Sequence, residues 1–172
     1  MPAAALYCRS TRAAITAAVL GLGCMSPAGD CPLADTDAPT EDPAGFYRCR
    51  DAQLNHGNGC GPDGYPLGFA AKYAEVYMWE VYPSVGQEAQ AFLDANLLCL
   101  QSAFLEETSE DMTCAEVAEV GFESHPGCYL ESGICGVPLV DQMAIVLSVE
   151  PMDMGHPSQQ DAFVEIARMC FE

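Results

Sequence analysis

Apolar side chains recur along this chain at helical spacing, in blocks separated by Gly, Pro and acidic turns. Phe69, Tyr73, Val76 and Tyr77 fall at i, i+4, i+7 and i+8, with Glu80 continuing the register and Pro83 closing the block. This predicts a first helix over 67–81. A second is predicted over 85–107, with Ser84 and Gln87 as a capping box. In it Phe92, Ala95, Cys99 and Ala103 form one stripe and Leu93, Leu97, Leu100 and Phe104 another beside it. A stripe that wide predicts burial over much of the circumference. Thr113 with Glu116 is a second capping box and starts a helix from Cys114 to about Phe122, which Pro126 and Gly127 should interrupt. A short segment follows over 128–131. The fifth helix, over 139–149, carries Val140, Met143, Ala144 and Leu147 on its apolar face and stops before Pro151. The sixth, over 158–170, carries Phe163, Ile166, Ala167 and Cys170. No hairpin signal and no tandem repeat is present. The pattern is all-α, a small disulfide-rich bundle of five or six helices joined by Gly/Pro turns.

Two further segments lack that period. Residues 1–23 read as an export signal: Arg9 and Arg12 precede an uncharged run, Ala13 to Gly23, too short to span a membrane. Gly21 and Gly23 give a small-x-small cleavage pattern, and LGLGC loosely matches a lipobox with Cys24 as the lipidated residue. Residues 24–45 are Pro-, Asp- and Ala-rich, an acidic linker in which Cys31 is the residue expected to be tied down. The helical domain is therefore 46–172, opening on a Gly- and Asn-rich loop, NHGNGCGPDGYP.

Charge narrows the partners. Acids outnumber bases 25 to 6, a formal −19, and losing Arg9 and Arg12 with the leader lowers it by two, to −21. Phosphate-rich surfaces would be repelled, so nucleic acid is excluded as a partner, and membrane contact is expected only through a lipid at Cys24. Weak, diffuse calcium binding is compatible, but the acid run from Asp35 to Asp42 lacks the spacing and Gly of a calcium loop. No cofactor is expected. Ten cysteines at long, irregular gaps, without zinc spacing, predict a disulfide framework and an oxidising compartment. Removal of Cys8 with the leader and lipidation or removal of Cys24 leaves eight, open to 105 pairings. The chain is expected outside the cell or at the cell surface, or as a periplasmic lipoprotein.

The spacing Cys114–x13–Cys128–Tyr129–x5–Cys135, followed by Cys170, resembles the stanniocalcins. A Cys60, Asp63, Gly64 turn, the EAQAFLDANLLC run with Phe92 and Cys99, VLSVEPMDMGHP and FVEIARMC resemble the family's flanking elements, over about 49–170. The resemblance implies the bridges Cys60–Cys114, Cys99–Cys128 and Cys135–Cys170, and leaves Cys31 to Cys49. It also implies hormone-like extracellular signalling linked to calcium and phosphate balance, or inhibition of a secreted metalloprotease, through an extracellular protein partner. The family's further inter-subunit cysteine and its Asn-linked glycan site have no counterpart in this sequence, so a homodimer would be non-covalent.

Candidate chemistry is sparse. HPGCY, from His125 to Tyr129, with GNGCGPDG, echoes a calcium-dependent secreted phospholipase A2, and that hydrolase is the alternative function. In that chemistry a carboxylate beside the histidine holds calcium; here the neighbour is Pro126. The commoner role for His125 is a plain turn histidine. Met152, Met154 and His156 form a string suited to copper, though more often such a string is simply a loop. His56 has no evident partner, and Glu106–Glu107 and Glu110–Asp111 read as solvated helix-end charges. Tyr73, Tyr77, Trp79 and Tyr82 crowd one helix; Tyr77 and Trp79 cannot both face inward, and the exposed one is a candidate partner contact. The sequence thus points to a binding module rather than an enzyme.

Overall fold

The computed structural model describes residues 31–34, 41–153 and 164–170. The predicted leader, Cys24, most of the acidic linker, Met154, His156 and the start of the last helix lie outside these residues. Among the described residues every regular element is helical, and the main ones are α1 (Gly45–Asp51), α2 (residues 65–81), α3 (Gln87–Glu107), α4 (Cys114–Glu131), α5 (Leu139–Leu147) and α6 (residues 164–170), with short helical turns at Leu54–Gly57, Tyr82–Ser84 and Ile134–Gly136. The fold is a small disulfide-rich helical bundle.

The long helix α3 is the shared wall of two apolar clusters. Leu97 and Phe104 pack with Phe46, Tyr47, Tyr65 and Phe122 on one side. Ala89, Phe92 and Leu93 pack with Tyr129, Ile134 and Ile145 on the other. Two polar residues share its buried surface, Asn96 and Gln101. Gln101 is bonded at both ends of its amide: Oε1 accepts from Ala34 N at 2.6 Å, and Nε2 donates to Pro43 O at 3.3 Å. These bonds dock the strip before α1 onto α3, and the Cys31–Cys49 bridge fastens it.

The α2 helix begins two residues earlier than the pattern predicts, because Pro66 fits its first turn, where no amide donor is needed. It is also not a plain α-helix. Tyr65–Ala71 and Val76–Val81 have π-type hydrogen bonding on either side of Lys72–Glu75. Bonding to the fifth residue widens the turn beyond the roughly 3.6 residues of an α-helix, so side chains four apart drift less around the axis. Tyr65, Phe69, Tyr73 and Tyr77 use this to form a ladder of rings, with centroids 5.7, 4.7 and 6.0 Å apart.

The predicted cap at Ser84 and Gln87 does not form. Gly86 is the N-cap of α3, and Ser84 Oγ instead donates to Val81 O at 2.7 Å in the 3-10 turn Tyr82–Ser84. The box at Thr113 does form: Thr113 N donates to Glu116 Oε2 at 2.8 Å, and Glu116 N to Thr113 Oγ1 at 3.4 Å. The predicted interruption at Pro126 is absent. α4 is a single helix to Glu131 and absorbs the short 128–131 segment.

Candidate functional site

The stretch from Cys99 to Cys135 is the junction of the bundle. Cys99–Cys128 ties the middle of α3 to α4. Cys60–Cys114 ties the Gly-rich loop to the start of α4. Cys135–Cys170 ties the 3-10 turn Ile134–Gly136 to α6. The structure thus brings together Cys31 with Cys49 and these three further pairs. Each closed loop is 18 to 54 residues long, which restricts the unfolded chain by roughly 3–4 kcal/mol per bridge.

His125 lies inside α4, not in a turn, one residue before the Pro126 that the helix accommodates. Proline supplies no N–H to the carbonyl four residues earlier, that of Phe122. The His125 ring reaches back: Nδ1 lies 2.8 Å from Gly121 O, and the ring also engages the Phe122 backbone. Gly121 O further accepts from Tyr65 Oη at 3.1 Å and from Ser124 Oγ at 2.8 Å. A Cβ on Gly121 would stand 2.3 Å from the Tyr65 ring, so only glycine lets that ring lie on α4. Tyr65, Phe69, Phe122 and Tyr129 surround the imidazole. Burial pushes its pKa down to about 4, so it is neutral at physiological pH.

The other half of the hydrolase-like pattern is held elsewhere. Cys60 is pinned to Cys114, and His125 lies eleven residues further along α4, about 16 Å at 1.5 Å per residue. The Gly-rich loop turns through left-handed conformations at Asn55, His56, Gly57, Gly59 and Gly61. Cys60 N in that loop donates to buried Asp51 Oδ1 at 2.8 Å. His56 does have partners: its backbone N donates to Glu110 O at 2.8 Å, and its ring lies 3.2 Å from Asp111. Glu106, Glu107, Glu110 and Asp111 are all exposed around the α3–α4 turn. Among the described residues no group of three His, Cys, Asp or Glu side chains is placed to hold a metal. No described helix is long and apolar enough to cross a membrane.

The aromatic question on α2 resolves cleanly. Trp79 is 53% exposed, while the Tyr77 hydroxyl is hydrogen-bonded to Tyr129 and burial lifts its pKa well above the usual phenol value. Trp79 borders an open groove with Arg48, Lys72 and Glu75. Both bases there are occupied, Arg48 by Asp42 and Glu75, Lys72 by Glu150 and Asp153.

The largest departure from the sequence pattern is α5. Its predicted apolar face does not pack inward. Leu139, Val140, Met143 and Leu147 are exposed, and Ile145 is the buried residue of the helix. The two polar side chains are the ones turned to the protein: Asp141 Oδ2 accepts from Gly86 N at 3.2 Å, and Gln142 Nε2 donates to Ile134 O and Val137 O at 3.1 and 2.8 Å. Hydrophobic period marks one face of a helix without saying which neighbour covers it, and here Ile145, Ala144 and the polar pair make the contact.

These features define a class: a disulfide-stapled helical domain with an aromatic, histidine-centred core and one apolar helix face turned outward. No protein-family model, curated protein or solved structure matches the chain.

Proposed function

We propose that this chain is an exported, non-catalytic binding and signalling protein of the stanniocalcin type, either freely secreted or anchored by lipid at Cys24. The outward apolar face of α5 carries the reading. Contiguous exposed apolar side chains of this size mark surfaces that meet a partner. The four bridges suit an oxidising compartment, and the cysteine spacing supplies the likeness to the hormones. Its activity would then be hormone-like, linked to calcium and phosphate balance or to inhibition of a secreted metalloprotease.

The experiment is expression of the full chain with its leader, fractionation of the cells, and two assays on the purified oxidised protein. Recovery outside the cytoplasm and dose-dependent inhibition of a stanniocalcin-sensitive metalloprotease, weakened by Leu147→Glu, is the expected result. Calcium-dependent phospholipid hydrolysis that disappears in His125→Ala would overturn the reading in favour of the hydrolase.

A further inference from the structure

We infer that the outward face of α5 is a docking site for a cationic amphipathic helix of a partner protein. This rests on the reading of the chain as a binding protein and adds the chemistry of its partner.

The first support is the inversion of α5. Seven of its nine residues, LVDQMAIVL, are apolar, and a helix apolar around its circumference belongs in an interior. Only one side of this one is covered. At about 100° per residue, Leu139, Met143, Leu147 and Val140 fall within one arc of about 100°, opposite buried Ile145. Their exposures are 65, 51, 73 and 74%. The helix cannot roll to hide that arc without breaking the three bonds made by Asp141 and Gln142. On the covered side of the helix a cavity of about 170 Å³ separates Gln142, Ile145 and Val146 from Ile166 and Cys170 of α6, so even that side is incompletely packed.

The second support is charge. The sequence contains no Lys or Arg between Lys72 and Arg168. The segments around α5 present Glu80, Glu88, Glu150 and Glu165, all exposed. The lysine that approaches from α2, Lys72, is bound to Glu150 at 3.0 Å and Asp153 at 2.8 Å. Arg168 on α6 is the one base that the adjoining α6 adds among the described residues. A second copy of the chain would bring the same excess of acid, and an anionic membrane would be repelled likewise. The complement of an apolar stripe in an acidic field is an apolar stripe flanked by lysine or arginine. That is the helix-on-surface mode of peptide recognition, with Met143 supplying an adaptable contact.

The test titrates the full oxidised chain with three dye-labelled synthetic peptides: an amphipathic helix of Leu and Lys, its Leu and Glu counterpart, and a scrambled Leu/Lys sequence without an apolar face. The first should bind at micromolar concentration, more weakly as salt rises, and at least about tenfold more weakly to Leu147→Glu or Val140→Glu. The other two should bind at least about tenfold less well. Both variants sit on exposed positions, and circular dichroism with a thiol count establishes that they are folded and oxidised. Equal binding of the Leu/Glu or scrambled peptide, unchanged binding by the variants, or no binding at all overturns the inference. So does sedimentation showing a dimer that Leu147→Glu dissociates, which would make a second copy the occupant. Those failures leave an exported, non-hydrolytic binding protein standing, whereas hydrolysis of phospholipid removes that reading whatever the peptides do.

Discussion

At the scale of single residues, the centre of the molecule is a neutral histidine. Its ordinary pKa is about 6.5 and burial lowers it to about 4. Between those values the unfolded chain takes up a proton that the folded chain refuses. Stability is therefore full above pH 6.5 and falls as pH drops through the window, by on the order of 3 kcal/mol. Denaturant titrations at pH 7 and pH 4.5 should show this loss, and His125→Gln, which keeps a donor for Gly121 O, should flatten the curve between them. An equally steep curve in His125→Gln would place the proton elsewhere. The neighbouring glycine is as constrained. Gly121→Ala sets a methyl group 2.3 Å from Tyr65, and such overpacking should cost about 1–3 kcal/mol or more, read as a lower unfolding midpoint. Neither role was legible in the sequence. His125 beside Pro126 looks like a turn because the pattern shows the missing amide and does not show the aromatic packing and the ring bond to Gly121 O that hold this part of α4.

At the scale of elements, what could be read depended on how local the cause was. The Thr113–Glu116 box is closed within four residues, and it forms. The Ser84–Gln87 box has the same spacing but fails, since Val81 O captures the serine and the chain makes a 3-10 turn first. The π turns of α2 were missed, although the strict four-residue spacing of Tyr65, Phe69, Tyr73 and Tyr77 was a signal for a wider turn. The face of α5 was legible and its direction was not, because direction depends on Gly86, Ile134 and Val137, none of them in the helix. Cysteine pairing is the extreme non-local case, reached only through a likeness of spacing. The bridge with the most to hold is Cys99–Cys128, since α3 and α4 share the core around Phe104 and Phe122. Replacing both cysteines with alanine reopens a loop of 29 residues. Chemical denaturation should then show a loss of about 3 kcal/mol, with helix content retained at pH 7.

At the scale of the whole molecule, the fold class was legible because helical period and cysteine number are summed over the chain, where local errors cancel. The outward apolar face of α5 was not, since it depends on which side of one short helix is left uncovered. The acidic field around that surface has a consequence of a different kind. Trypsin cuts after lysine and arginine, and from Tyr73 to Arg168 it finds no site. That uncut block contains Cys99, Cys114, Cys128 and Cys135, with Cys60 in the peptide before it and Cys170 in the peptide after it. Cys49 leaves as the dipeptide Cys49–Arg50. A non-reducing digest should therefore give two linked species: the dipeptide joined to the peptide bearing Cys31, and a large core carrying both flanking peptides. Reduction should release the flanking peptides while leaving the core in one piece. A dipeptide found on the core instead would redraw the bridges, and cleavage after glutamate is what separates the three bonds the core retains.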